Sequence, residues 1–277
     1  MSLPAVGQDS PDLTSWGQPV TRIRLDSDAR MRLEDFAANI VQKVGEPLDR
    51  EKIRETLKNL YATGRFQGLR ADANPAEGGI ELVLRARAKF FVGVVRVEGA
   101  PGVINPNVLV TASRLRLGQP IETSELQEAR QRLAAVLAEN GYYSARIVPD
   151  VRPDLETQAA EVVFSIDPGI PARLNKVEFQ GNVTVAATKL AGVCGWRRGS
   201  HLTSGQLERG LYRLRQFYSA RGRLQATATN VSRIQDQEGR SENLVVHIEE
   251  GPLVRVRVLG ARVSKGKMKE HLPFFRE

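Results

Sequence analysis

The chain of 277 residues has a single cysteine, Cys194, so it forms no intrachain disulfide and no zinc site built on several thiolates. Its three histidines, His201, His247 and His271, fall on separate predicted elements without ligand spacing. No stretch approaches the roughly 18 consecutive apolar residues that a membrane-spanning helix needs. Carboxylates paired for acid–base work are absent, no Gly-x-Ser-x-Gly elbow occurs, and Cys194 has no evident base partner. The expectation is a non-catalytic protein with no cofactor and no metal. The start, Met1-Ser2-Leu3-Pro4, lacks a basic segment followed by an apolar one, and reads as the replacement of a removed leader. A lone thiol leaves cytosol and periplasm both open.

What remains is an ordinary globular composition, 41% hydrophobic and 26% charged, with apolar material for several small cores. The net charge of +8 is unevenly spread. Residues 90–168 are net acidic, whereas 20–89, 169–250 and 251–277 are net basic. A middle of opposite sign argues against one continuous groove for nucleic acid, so no nucleic-acid partner is expected. The basic excess toward the C-terminal end would suit an anionic lipid surface or an acidic partner.

The organising stretch is residues 161–182, EVVFSIDPGIPARLNKVEFQGN. Val162, Val163, Phe164 and Ile166 form a β-branched run that Asp167-Pro168-Gly169 stops. After Pro171 a second strand begins, in which Val177 and Phe179 alternate with Lys176, Glu178 and Gln180 until Gly181-Asn182. The same handover recurs at 82–99 and at 244–260. Between handovers come two helices and a hairpin. The first module has a helix over 30–41 (Leu33, Phe36, Ile40, Val41). After Gly45-Glu46-Pro47 follows a helix capped by Asp49, with Ile53, Leu57, Leu60 and Tyr61 on one face and Gly64 at its end. The second has a short helix within 105–113 and a helix capped by Thr123, with Leu126, Ala129, Leu133, Val136 and Leu137, closed by Gly141. The third has a helix over 184–191 and a Thr203/Gln206 capping box opening a helix with Leu207, Leu211, Leu214 and Tyr218, closed by Gly222. Hairpins are expected from 67–74 with 80–87, 143–151 with 160–167, and 224–231 with 243–249.

The helix-ending glycines Gly64, Gly141 and Gly222 recur at intervals of about 80 residues, as do the strand-ending Gly99, Gly181 and Gly260. The fold class is therefore α+β, a tandem array of β-α-α-β-β modules. In each, a three-stranded mixed sheet is covered on one face by two helices, and the other face is largely open. The expected organisation is a flexible leader at 1–19, modules at 20–89, 90–168 and 169–250, and the start of a fourth at 251–277. At least one edge strand per module stays unpaired.

This pattern resembles the polypeptide-transport-associated (POTRA) domains of the BamA-type outer-membrane assembly proteins. The resemblance rests on the junctions Asp167-Pro168-Gly169-Ile170-Pro171 and Glu249-Glu250-Gly251-Pro252. Each is followed by a valine-rich strand ending in glycine. It rests also on the helix endings Gly141-Tyr142-Tyr143, Gly64-Arg65-Phe66 and Gly222-Arg223-Leu224. It covers about residues 20–277, and the first module departs most, with Leu25-Asp26-Ser27 in place of a Gly-Asn strand ending. The resemblance implies a periplasmic arm preceding an outer-membrane β-barrel. Its implied partners are unfolded outer-membrane proteins or extended peptides, accessory lipoproteins and its own C-terminal barrel. The run of alternating strands of about 10 residues that a barrel requires is missing from these residues, so a fragment cut inside a fourth module is expected.

An unpaired edge offers main-chain groups to any extended peptide with little demand on its sequence. The candidate binding residues are Leu224, Gln225, Ala226, Thr227, Ala228 and Thr229, where threonines favour strand. Next come Arg146, Ile147 and Val148, ahead of the interrupting Pro149. Residues 67–74 are the third candidate. Hinge freedom is expected at Pro168, Gly169 and Pro171 and at Gly251 and Pro252. Two alternatives stand beside this reading. One is the arm of a secretion pore for a dedicated partner protein. The other is a KH-like nucleic-acid repeat, suggested by Gly192-Val193-Cys194-Gly195 with Arg197 and Arg198, although residues 196–202 intervene where a clamp would join its helices tightly. The stretch from Gly260 to Met268 is not a P-loop, since its spacing is one residue long and Met268 stands where a hydroxyl is needed. Trp16 could anchor a partner or an interface, whereas Trp196 is expected to pack.

Overall fold

The structure, a computed structural model, describes residues 15–181 and 184–254, with the side chains of Thr229 and Asn230 excepted. The expected leader residues 1–14, Asn182, and the expected fourth-module residues from 255 onward, including Gly260, lie outside the described residues.

Three copies of one topology follow in series. The first comprises β1 (Val20–Ser27), a 3-10 helix (Leu33–Asn39), α1 (Arg50–Ala62), β2 (Phe66–Ala76) and β3 (Gly79–Ala88). The second comprises β4 (Phe91–Glu98), α2 (Pro106–Ser113), α3 (Thr123–Glu139), β5 (Arg146–Pro153) and β6 (Ala159–Asp167). The third comprises β7 (Arg173–Gln180), α4 (Ala187–Cys194), α5 (Ser204–Ser219), β8 (Thr227–Gln235) and β9 (Ser241–Glu249). The sheets run β1-β3-β2, β4-β6-β5 and β7-β9-β8, so the last strand of each copy is central and the first two are edges. In the first and third sheets the central strand pairs parallel with the first strand and antiparallel with the second. By contacts the chain separates into two compact units. One holds the first copy with Arg114–Gln127 and Pro149–Val163. The other holds Val97–Ser113, Glu128–Val148 and the third copy.

Period-two patterning in the central strands sets the cores. Ile80, Leu82, Leu84 and Ala86 of β3, Ala160, Val162, Phe164 and Ile166 of β6, and Leu244, Val246 and Ile248 of β9 are all buried. The first core adds Val20, Phe36, Leu48, Leu60 and Phe66, and the third adds Leu190, Cys194, Trp196, Leu214 and Tyr218. Each buried side chain of this size contributes about 1.5–3 kcal/mol. Trp196 stacks on Phe179 with ring centroids 6.3 Å apart. It lies against Gly210, where an added Cβ would come within 2.4 Å of the indole nitrogen, so α5 tolerates only glycine at that position.

Helix ends follow the sequence signals. Asp49 accepts from the N–H groups of Glu51 and Lys52, and Thr203 with Gln206 closes a capping box. Gly141 and Gly222 sit at positive φ, and the next residues, Tyr142 and Arg223, donate back to Leu137 and Tyr218, each at 2.9–3.0 Å. A further repeat lies in the loops between helices. The N–H groups of Gly45, Gly118 and Gly199 donate to the carbonyls of Val20, Val92 and Leu174, at 2.8, 2.8 and 2.7 Å. Each loop thereby covers the start of the first strand. That blunts the start of one edge of each sheet.

Four expectations need correction. The helix over 30–41 is only the 3-10 turn Leu33–Asn39: Arg32 supplies no side-chain cap, and the N–H groups of Val41 and Gln42 turn to Thr56 Oγ1. Residues 15–19, expected in a flexible leader, are tied to the loop before α1, with Gly17 N–H on Leu48 O and Leu48 N–H on Gln18 O. The outer sheet face is less open than expected, since Val83 and Val163 stand out of phase with the core yet are fully buried. They occupy the middle strands, where neighbours on both sides can cover them with long side chains. Finally, α4 starts at Ala187 and continues to Cys194, so Gly192-Val193-Cys194-Gly195 is its C-terminal turn, with Gly195 at φ +77°, and joins no second helix directly.

Candidate functional site

The second strand of each copy, β2, β5 or β8, ends its sheet, and among the described residues no strand pairs with its outer side. These three edges differ. On β2 the N–H of Leu69 points away from β3 and donates to the hydroxyl of Tyr61 at 2.9 Å. Because ladder direction alternates, Ala71 and Ala73 also face outward, and Pro75 has no N–H to offer. This edge is capped at one end and mute at the other. On β5, Arg146 and Val148 are exposed, Ile147 faces the core, and Pro149 interrupts the run. On β8 no proline intervenes, and Thr227 is exposed beside the half-buried Ala228.

The strand onsets differ from the expected ones. Tyr143 and Ser144, and likewise Leu224 and Gln225, form a turn after the glycine-ended helix, so β5 and β8 begin at Arg146 and Thr227. The Schellman-type closure at Gly141 and Gly222 uses the residues that follow it before extended backbone can start. A one-residue bulge in β8 between Thr229 and Ser232 then divides the ladder with β9. Thr227, Ala228 and Thr229 therefore lie on the edge. Leu224, Gln225 and Ala226 instead line a cavity of about 520 Å³ beside α5, facing Arg215, Gln216 and Ser219.

The hinge residues sit in tied segments. At the second joint Gly169 has φ +65° with its N–H on Asp167 Oδ1, and Ala172 N–H donates to Gly141 O at 2.8 Å. After the third copy Gly251 has φ +63° and its carbonyl accepts from Arg223 at 2.5 Å. Val254 N–H donates to Gly222 O, repeating the Ala172–Gly141 bond. Pro168, Pro171 and Pro252 flank these bonds without donors of their own. Each joint thus hangs on the turn that ends the long helix.

Sequence reasoning missed the side chains that hold the joints. Between the first and second copies, Gln158 is 2% exposed at φ +59°, and its Nε2 donates to the carbonyls of Arg65 and Lys89, each at 2.9 Å. Its Oε1 accepts from Arg65 Nε, and an exposed Arg30–Glu156 pair flanks it. Between the second and third copies the connection is built on an ion pair of the third copy. Arg233 of β8 pairs side-on with Glu242 of β9 at 2.7 and 2.8 Å, the two side chains being 12% and 0% exposed. Its remaining N–H groups reach Leu202 O and the carbonyl of Glu139 at the end of α3, where a cation also meets the negative end of the helix dipole. Tyr143 donates to Glu242 Oε2 at 2.7 Å, and burial with that bond pushes its phenol up to about 12. Burial opposes the charge on Arg233, but the Glu242 bond and charge outweigh it and raise its pKa. Asn140 completes the contact, its amide oxygen taking Ser204 N–H and its carbonyl meeting His201 Nε2 at 2.6 Å.

Repeated sheets of order first-third-second, each backed by two helical segments and chained through short joints, define a class, the tandem POTRA array. The chain belongs to the POTRA family, described as surface antigen variable number repeat, which matches residues 90–169 and 172–251, more than half of its length. The chain is similar to the outer membrane protein assembly factor BamA of Neisseria meningitidis serogroup B, at 27% identity over 177 residues. That similarity covers 63% of this chain and 21% of that relative, so the chain spans about a fifth of the relative's length. Among solved structures it is similar to the N-terminal domain of Omp85 from Thermosynechococcus elongatus. The identity is 17%, the TM-score 0.40, and the coverage 83% of this chain and 96% of that one. POTRA3-5 of Haemophilus influenzae BamA gives 14% identity and a TM-score of 0.36, covering 86% and 100%. This chain is the periplasmic part of an outer-membrane protein of that class. Among the described residues no helix is long and apolar enough to cross a membrane.

Proposed function

We propose that this chain is a non-catalytic scaffold that receives outer-membrane polypeptides in extended form by adding them, strand to strand, to the open edges of its modules. The observation that carries the reading is the strand order. In every copy the loop between the helices bonds to the start of the first strand, and among the described residues the second strand has no strand on its outer side. Main-chain pairing gives affinity with little sequence selection, as a receiver of many clients requires. The relative named for outer-membrane protein assembly agrees with such clients. A following barrel and accessory lipoproteins belong to the same proposal. Of the three edges β8 is the preferred one. It has no proline and, among the described residues, no capping hydroxyl, and the cavity of about 520 Å³ at its start can take side chains of a client.

The test uses the alternation of the ladder. Of Thr227 and Ala228, one directs its N–H to β9 and the other outward. Proline at the outward position leaves β9 pairing intact and removes a donor from the client. The expected result for Thr227→Pro and Ala228→Pro is therefore asymmetric: one variant keeps wild-type stability and loses binding of extended outer-membrane strand peptides, and the other is destabilised. Full binding by the stable variant refutes the edge.

A further inference from the structure

Gly192-Val193-Cys194-Gly195, with the arginines around it, has no part in the edge-strand reading. In the structure it forms the closing turn of α4, beside a cavity of about 260 Å³ lined by Arg197, Ser200, Gln206, Arg209 and Arg213. The geometry points to a binding site for a phosphate group at this cavity. Arg209 and Arg213 lie one helical turn apart on α5, and both line this cavity. A Cβ at Gly205 would lie 3.5 Å from Arg209 Nη1, and one at Gly195 would lie 2.8 Å from Arg213 Nη1. Arg197 enters from the segment after α4. Arg213 donates to the Cys194 carbonyl at 3.4 Å, which offsets the negative end of the α4 dipole and leaves its other N–H groups for a ligand.

None of the three arginines forms an ion pair with a carboxylate among the described residues, although most arginines of the first module do. Three guanidinium groups around one small cavity repel one another, and a multiply charged oxyanion relieves that repulsion while accepting forked N–H pairs. The buried Trp196 and Leu202 also line the cavity. The site is lined by residues of α4, of α5 and of the segment between them and by none of β8, so it can be tested apart from client binding. A free phosphate and a phospholipid headgroup share this chemistry.

The full chain is titrated with inorganic phosphate by calorimetry, and in parallel mixed with vesicles of phosphatidylcholine with or without phosphatidylglycerol. Saturable binding in at least one arm is expected, about tenfold weaker for the Arg197→Ala/Arg209→Ala double variant and unchanged for Arg22→Ala/Arg24→Ala on the first sheet. Both altered pairs are exposed, and circular dichroism melting checks that they stay folded. Binding of phosphate in solution identifies a free anion as ligand. Binding only to phosphatidylglycerol vesicles, with the same dependence on Arg197 and Arg209, identifies a headgroup. No binding in either arm, or equal weakening by both double variants, overturns the site.

Discussion

The first and third modules share one topology and protect it by opposite means. In the first, the open edge is capped at one end by the Tyr61 hydroxyl and lacks a donor at the other, at Pro75, and the joint to the next module closes on a neutral amide, Gln158. In the third, the edge carries a bulge and an adjoining cavity, and its joint to the preceding module closes on the buried Arg233–Glu242 pair. The edge that we propose takes a client strand belongs to the sheet whose joint is ionic. The Arg233 fork makes four bonds there, two to Glu242 of β9, one to Leu202 O and one to the end of the preceding module's long helix.

Removing half of the ionic joint breaks this contrast most strongly. Glu242→Ala strands a buried guanidinium and should cost about 3–5 kcal/mol in urea unfolding followed by Trp196 fluorescence. Gln158→Ala, which takes away both amide bonds but no charge, should cost about 2 kcal/mol. The flanking Arg30→Ala should stay within about 0.5 kcal/mol of wild type, because both partners are exposed. Tyr143→Phe should cost about 1.5 kcal/mol, one bond to a carboxylate. The same phenol sharpens the comparison through pH. Its folded pKa of about 12 lies above the ordinary 10.0, so its contribution is complete below pH 10 and is lost as pH rises toward 12. Tyr218 and Cys194, also raised to about 12 by burial, act in the same direction, and all three belong to the third module or its joint. Alkaline titration should therefore loosen the third module before the first, and Tyr143→Phe should flatten part of that slope.

Most of the architecture was legible in the sequence because local chemistry imposes it. The capping residues Asp49 and Thr203, the closing glycines Gly141 and Gly222, and the alternation in 243–249 each specify backbone geometry without help from distant residues. What escaped depends on contacts far apart in the chain. The Leu33–Asn39 turn is short because Thr56 takes the next amides, and Gln158 matters only because Arg65 and Lys89 lie beside it. Glu242 is an instructive case. It keeps phase with Leu244, Val246 and Ile248, where the other modules have Ile80 and Ala160, so a carboxylate on a core-facing position was readable as a demand for a buried cation. Its partner Arg233 was not, because only the β8 bulge sets Arg233 opposite Leu244, on the same face as Glu242; an unbroken register from Thr229–His247 would set it opposite Asn243. The candidate edge was found in kind, while its first three residues, Leu224, Gln225 and Ala226, precede the strand.

Amide hydrogen exchange of the full chain, with and without a saturating extended outer-membrane strand peptide, tests the central claim most directly. The account predicts added protection at alternate residues of β8, with β2 unchanged behind its Tyr61 cap. Protection confined to helices α4 and α5, or equal at every β8 amide as in general tightening, would contradict it.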